Sequence, residues 1–197
     1  MRARVAVLVS GGGTNLQALL DAVASGILHS GEIVLVVSSR ADAYALTRAQ
    51  CAGIEALTIT RADGEQALLE ALESRGIDLV VLAGYLTILG ADLVKRFENR
   101  IVNVHPSLIP AFSGKGYYGL KPHEEALRRG VKVTGATVHL VDEIPDGGKI
   151  LAQKAVDVLP GDTPEILQRR VMVEAEWVLL PRAVEDLCAV IVKEKSV

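Results

Sequence analysis

The sequence predicts an α/β fold: a mostly parallel, twisted, Rossmann-like sheet with helices on both faces and an antiparallel extension in the C-terminal half. Apolar runs at residues 5–9 and 79–83 are nearly continuous, as in strands that are buried on both faces. Segments with helical spacing alternate with these runs, which is typical of parallel sheets with right-handed crossovers. Half of the 197 residues are hydrophobic and only 4% are aromatic, which also favours a helix-covered sheet.

The first half alternates strand and helix five times. Strands are predicted at residues 5–9, 33–38, 56–59, 79–83 and 101–105. Helices are predicted from Thr14 onwards and over residues 43–51, 64–75 and 91–97. Glycines follow several of these elements and indicate where they end.

The second half has a different pattern. A long loop over residues 107–122 leads into a helix at 123–129, and strands at 133–141 and 150–158 flank a turn-rich segment as an antiparallel pair. Two last helices are predicted at 164–177 and 183–193, separated or kinked at Pro181. Asp162 or Thr163 caps the first of them, with Pro164 in its first turn. The chain contains no repeat or linker, which favours a single domain.

Composition excludes several classes of protein. The formal net charge is −3 and no cluster of basic residues is present, so we expect no nucleic-acid partner. No apolar stretch approaches the length of a membrane span, and no secretory leader is evident, so we expect a cytoplasmic protein with no membrane partner. Cys51 and Cys188 are then reduced thiols. Four histidines and two distant cysteines have no metal-ligand spacing, so no metal site is predicted.

The most informative segment is residues 100–112, RIVNVHPSLIPAF. Asn103 and His105 lie two residues apart at the end of a strand, so their side chains point the same way, at the rim of the sheet where ligands bind. An amide can donate to a developing oxyanion, and an imidazole can carry a proton near neutral pH. Pro106 ends the strand. This spacing favours acyl or formyl transfer over the alternative, polar residues that cap the sheet.

A glycine-rich loop, SGGGTN at residues 10–15, follows the first strand. Its backbone N–H groups and the helix N-terminus favour an anion. A dinucleotide fingerprint would need a glycine at Leu16 and an acidic residue after the second strand, and neither is present. The loop therefore fits a single phosphate, and the alternative is a structural turn with Thr14 or Asn15 as a helix cap.

The acidic turn DEIPDGGK at residues 142–149 reads locally as an ordinary hairpin turn. Its carboxylates could nevertheless reach a histidine at the rim and raise the pKa of that histidine. His139 either packs on the sheet or holds this turn, and the local pattern leaves both open. His29 is expected to be solvated and His123 to be structural. No serine or cysteine stands in the context of a nucleophile, which disfavours covalent catalysis.

Taken together, the glycine loop, NVHPSLIPAF and TVHLVDEIPDGGKI resemble the phosphoribosylglycinamide formyltransferase family, folate-dependent enzymes of purine synthesis within the formyltransferase superfamily. The resemblance runs nearly end to end. It implies transfer of a formyl group from 10-formyltetrahydrofolate, the co-substrate, to the amino group of glycinamide ribonucleotide, without a metal. It also implies one formyltransferase domain over residues 1–197, with 1–100 as the phosphate-binding half and 101–197 as the catalytic and folate-binding half.

The resemblance assigns roles to individual positions. The implied catalytic residues are Asn103, His105 and Asp146. The implied phosphate-binding residues are Gly13, Thr14 and Asn15, and Glu176 is implied to contact the ribonucleotide. The implied folate-binding residues are Leu86, Thr87, Ile88, Leu89, Asn103, Val141, Asp142 and Asp146.

The chain departs from the usual family pattern in four places. Thr87 stands where an arginine is common, which removes a cation from the folate pocket. The loop at 113–122 is longer than the common form, Trp177 replaces a frequent histidine, and Arg61 matches a folate-contacting arginine only weakly.

Three other functions fit parts of the pattern. The same fold could hydrolyse the formyl donor, or formylate another amine such as that of a sugar nucleotide. A nucleotide-sensing module would use the phosphate loop but would leave Asn103, His105 and Asp146 without a joint purpose. The oligomeric state is left open, a homodimer being one alternative.

Overall fold

The computed structural model describes residues 1–196 and contains one seven-stranded sheet. The strands are β1 (Ala3–Val9), β2 (Gly31–Ser38), β3 (Glu55–Thr58), β4 (Leu79–Leu82), β5 (Ile101–His105), β6 (Val133–Leu140) and β7 (Ile150–Asp157). Their order across the sheet is β3-β2-β1-β4-β5-β6-β7. The first five strands are parallel, whereas β6 and β7 run antiparallel to their neighbours. The predicted fold class is confirmed.

Within residues 1–196, seven α-helices cover the sheet. They are α1 (Thr14–Ala24), α2 (Tyr44–Cys51), α3 (Gly64–Glu73), α4 (Ala91–Arg96), α5 (Lys121–Arg129), α6 (Pro164–Val171) and α7 (Trp177–Glu194), and a π-helical turn at Met172–Glu176 joins the last two. Thr163 caps α6 by accepting a hydrogen bond from the Ile166 N–H at 3.3 Å. Along residues 1–196, no helix is long and apolar enough to cross a membrane.

The sheet core explains the continuous apolar runs. In β1 the side chains of Val5, Val7 and Val9 pack on one face, and those of Ala6 and Leu8 pack on the other. All five are fully buried, because helices cover both faces. From β1 the chain winds outward in both directions, so a topological switch point lies between β1 and β4. Ligands bind at the carboxyl ends of strands beside such a point.

Most strand and helix ends lie within two residues of their predicted positions, with one clear error. Of the two alternatives predicted at Pro181, a separation or a kink, the separation is wrong, because α7 continues through that proline. Hydrogen bonding departs from the α-helical pattern one turn earlier, where the Trp177 N–H donates to the Met172 carbonyl in the π-helical turn. Pro181 is the fifth residue of α7, so the Trp177 carbonyl lacks the N–H donor that another residue would supply there.

Candidate active site

Three segments that are distant in sequence meet at the carboxyl end of β5. Asn103 and His105 leave this strand on one side, as their spacing predicted. Asp146 reaches them from the turn between β6 and β7, and its Oδ2 atom lies 3.4 Å from His105 Nδ1. Both side chains of this pair are largely buried. The amide, imidazole and carboxylate implied by the family resemblance therefore lie together.

His105 has an acceptor at each ring nitrogen. Its Nε2 lies 2.9 Å from the Phe112 carbonyl, which can only accept, so Nε2 carries a proton. Its Nδ1 faces Asp146, which favours a second proton. Burial lowers the pKa of His105, Asp146 raises it, and the net pKa is lowered. Asp146 thus raises the pKa of His105, as expected of a carboxylate, but the opposite effect of burial is larger.

His139 belongs to the same cluster, a role that the sequence left open. Its Nδ1 donates to the Leu140 carbonyl at 2.8 Å, and its Nε2 lies 3.1 Å from Asn103 Nδ2. This contact orients the Asn103 amide and leaves its second N–H free. Asp146 Oδ1 lies 3.5 Å from the same Nε2. The antiparallel register, which pairs Asn103 with His139 across β5 and β6, is the signal that could have identified this residue.

The backbone of the acidic turn aims Asp146 at the two histidines. Asp146 has a φ of 56°, in the left-handed region. A Cβ on Gly148 would overlap the Leu140 carbonyl oxygen, so the turn requires glycine there. The Gly114 N–H donates to Asp146 Oδ2 at 2.8 Å. Burial raises the pKa of Asp146, but hydrogen bonds and nearby charge, led by His139, hold it below its usual value.

The glycine loop lies beside this cluster. Gly13 has a φ of 71° and precedes α1 directly, and the capping residue is this glycine rather than Thr14 or Asn15. Asn15 Nδ2 donates to Glu176 Oε2 at 2.7 Å, which joins the loop to the π-helical turn. Burial raises the pKa of Glu176 to about 7. Over residues 1–196, the Asn15 Oδ1 atom is buried without a partner, which leaves its capacity to accept a hydrogen bond unused.

One cavity of about 560 Å³ connects the loop with the catalytic cluster. Its walls include Asn15, Asn103, His105, Asp146 and Glu176. The remainder comes from the segments around Leu86 and Ile88, the loop over residues 114–119, and α6. This volume is typical of sites for small molecules. Thr14 instead faces a separate cavity between α1 and α7.

The residues implied for folate are divided between two places. Leu86 and Ile88 line the main cavity and are 59% and 76% exposed. Thr87 and Leu89 line an adjoining cavity of about 160 Å³, together with Ile88 and Arg61. Arg61 therefore places a cation in the same small cavity as Thr87.

Two further residues implied for folate stand outside the cavity walls. Val141 donates its N–H to the Ile101 carbonyl at 2.9 Å and packs against the sheet core. Asp142 Oδ1 accepts from the Ile144 N–H at 2.9 Å and so shapes the acidic turn. Both residues flank the site.

The remaining histidines are outside the cluster. His29 is exposed and its Nε2 lies 3.2 Å from Glu185 Oε1, so it forms an ion pair when protonated. His123 is fully buried, and burial lowers its pKa to about 4. Within the described residues, no group of three or more His, Cys, Asp or Glu side chains has the geometry of a metal site.

Comparison with known proteins agrees with this geometry. The formyl transferase family profile matches residues 3–184. The phosphoribosylglycinamide formyltransferase of Haemophilus influenzae is 38% identical over 188 residues, which cover 92% of this chain and 85% of that protein. The chloroplastic phosphoribosylglycinamide formyltransferase of Arabidopsis thaliana is 40% identical over 194 residues, and this chain spans 66% of its length.

A solved structure supports the same assignment. The crystal structure of glycinamide ribonucleotide transformylase 1 from Symbiobacterium toebii superposes with a TM-score of 0.86 at 45% identity. The superposition covers 93% of this chain and 86% of that one. The chain therefore belongs to the formyl transferase family and, within it, to the phosphoribosylglycinamide formyltransferase family.

Proposed function

We propose that this chain transfers the formyl group of 10-formyltetrahydrofolate to the amino group of glycinamide ribonucleotide in purine synthesis. The products are formylglycinamide ribonucleotide and tetrahydrofolate. One observation carries the proposal: Asn103, His105 and Asp146 line a single cavity that the glycine loop also reaches through Asn15. This arrangement brings an oxyanion donor and a proton carrier within reach of a phosphorylated amine.

In the proposed reaction, the ribonucleotide amine attacks the formyl carbon, and the formyl oxygen becomes an oxyanion. Asn103 donates the N–H that does not contact His139 to this oxygen. Because burial lowers the pKa of His105, the ring gains its positive charge during the reaction, and Asp146 stabilises that charge once it forms. The attacking nitrogen then loses a proton and the departing folate nitrogen gains one, through His105 or a water held by Asp146.

The ribonucleotide is oriented from its phosphate end. Gly13, Thr14 and Asn15 offer backbone N–H groups at the start of α1, where the helix dipole favours an anion. Glu176 and Asn15 Oδ1 accept hydrogen bonds from the donor groups of the ligand. Holding both substrates in register contributes roughly 7–11 kcal/mol at best to lowering the barrier.

The folate occupies the apolar side of the cavity. Leu86 and Ile88 line the cavity and are exposed, so a flat ring system would cover apolar surface there. Thr87 and Leu89 line the adjoining cavity, and Val141 and Asp142 flank the site. The turn that carries Asp142 and Asp146 closes over the ring when folate binds.

Hydrolysis of the formyl donor, or transfer to another amine, is the main alternative on the same fold. A cytoplasmic location, one domain, a possible homodimer, and the lack of nucleic-acid and membrane partners stay predictions from the sequence.

A turnover assay tests the proposal directly. The protein is mixed with a 10-formyl folate, and release of deformylated folate is followed by absorbance with and without glycinamide ribonucleotide. We expect release only when the ribonucleotide is present. Release without an acceptor would indicate a hydrolase, and no release by folded protein would favour a nucleotide-sensing module.

A further inference from the structure

Helix α2 binds the carbonyl groups of the glycine loop. The Ala45 N–H donates to the Gly11 carbonyl at 3.1 Å. Three residues further along α2, Arg48 Nε donates to the Gly12 carbonyl at 2.8 Å. Two successive loop carbonyls are thus turned toward the same helix.

This arrangement determines where the loop N–H groups point. In a trans peptide the C=O and N–H groups face opposite ways. Because the Gly11 and Gly12 carbonyls face α2, the N–H groups of Gly12 and Gly13 face away from it. The Gln17 N–H donates to the Gly13 carbonyl at 2.9 Å, which starts α1 and leaves its first N–H groups at the helix terminus. Successive N–H groups of this kind form an anion-binding concavity.

Arg48 is suited to hold this geometry. While Nε binds Gly12, its Nη1 donates to Gln17 Oε1 at 2.8 Å, so one guanidinium joins the loop to α1. The same group lies 5.0 Å from the centre of the Tyr44 ring. A lysine could keep the charge, but it could not reproduce the planar fork that makes both hydrogen bonds.

We propose that Arg48 is a positioning residue that sets the affinity of the loop for the phosphate group of the ribonucleotide, by holding the loop carbonyls away from it. This inference rests on the proposed function. A second observation indicates that a ligand occupies this end of the cavity. Asn15 is only 8% exposed and lines the cavity, and within the described part of the chain its Oδ1 has no partner.

Three variants test the inference: Arg48→Met, Arg48→Lys and, as a control, Arg182→Met. Arg182 lines the same cavity between α1 and α7 as Arg48, so its loss removes an equal charge nearby. For Arg48→Met we expect KM for the ribonucleotide to rise about tenfold, because this is the usual effect of losing one hydrogen bond from a charged donor. The values of kcat and of KM for the folate should be nearly unchanged. Arg48→Lys should lie between wild type and Arg48→Met, and Arg182→Met should behave like wild type.

The decisive comparison uses glycinamide riboside, which lacks the phosphate. The Arg48→Met effect should vanish with this substrate, because the loop then has no anion to bind. An equal loss with both substrates, or an equal loss in Arg182→Met, would overturn the inference.

Titration calorimetry with inorganic phosphate separates this inference from the proposed function. Arg48→Met should bind phosphate about tenfold more weakly than wild type, whether or not the protein turns over. If wild type binds phosphate but does not transfer formyl, the proposed function fails while the role of Arg48 stands. Equal phosphate binding by wild type and Arg48→Met refutes that role.

Discussion

The two ends of the cavity are built in different ways. The proposed phosphate end is one contiguous segment, residues 10–15, and it offers backbone N–H groups whose direction depends on α2. The catalytic end is an assembly of side chains: His139 lies 36 residues from Asn103 in sequence, and Asp146 reaches back 32 residues to Gly114. Side-chain changes should therefore damage the catalytic end most, and backbone changes the phosphate end.

The largest effect is expected from Asp146→Asn. This change removes the charge that faces His105 and His139 but keeps the shape of the side chain. We expect kcat to fall by about 10²–10⁴-fold, the usual contribution of general acid–base catalysis. Steady-state kinetics and calorimetry with the ribonucleotide should show binding within a few-fold of wild type.

A fall in ribonucleotide affinity as large as the fall in turnover would contradict this division of the cavity into two ends. Such a result would mean that Asp146 shapes both ends of the cavity. Thermal unfolding serves as the control, because a large drop in melting temperature would indicate a structural role instead.

Asn103→Ala should have the next largest effect. It removes one oxyanion donor, which typically costs about 10²–10³-fold in kcat. His139→Ala tests the contact that orients this amide, and it should reduce kcat in the same direction but by less. Wild-type turnover in Asn103→Ala would remove Asn103 from the mechanism.

The same contrast explains what could be predicted from the sequence. Asn103 and His105 are two apart on one strand, so local periodicity sufficed to place them together. Asp146 has the local pattern of an ordinary turn, and the family resemblance is what singles it out among the carboxylates of that turn. His139 required the register of β5 with β6, which a local pattern does not contain. The error at Pro181 has a similar cause, because packing kept α7 continuous through a residue that usually ends a helix.

The clearest effect of Glu176→Gln should be on the free energy of unfolding and not on turnover. Burial raises the pKa of Glu176 from an ordinary 4.5 to about 7, so the folded state keeps a proton that the unfolded state releases. The free energy of unfolding should therefore fall as pH rises from about 4.5 to 7, by about 3 kcal/mol for this group. The glutamine variant should lose this dependence and be more stable than wild type at pH 8, as measured by urea unfolding.

Glu174→Gln is the matched control for this prediction. Glu174 lies on the same π-helical turn but is exposed, so its removal should leave the pH dependence unchanged. An identical slope of stability against pH in wild type and Glu176→Gln would show that Glu176 is ionised in the folded protein.

Gly13→Ala should have the smallest effect of the four, and it tests the phosphate end by its backbone. Gly13 has a φ of 71°, and an added Cβ would lie 2.6 Å from the Ala45 Cβ, so alanine is both strained and crowded. We expect a loss of roughly 1–3 kcal/mol, seen as a higher KM for the ribonucleotide and a lower melting temperature. Gly12→Ala is the control, because a Cβ there meets no atom within 4 Å. If both alanines raise KM equally, loop flexibility rather than the Gly13 conformation governs phosphate binding, and the contrast with the side-chain-built catalytic end is lost.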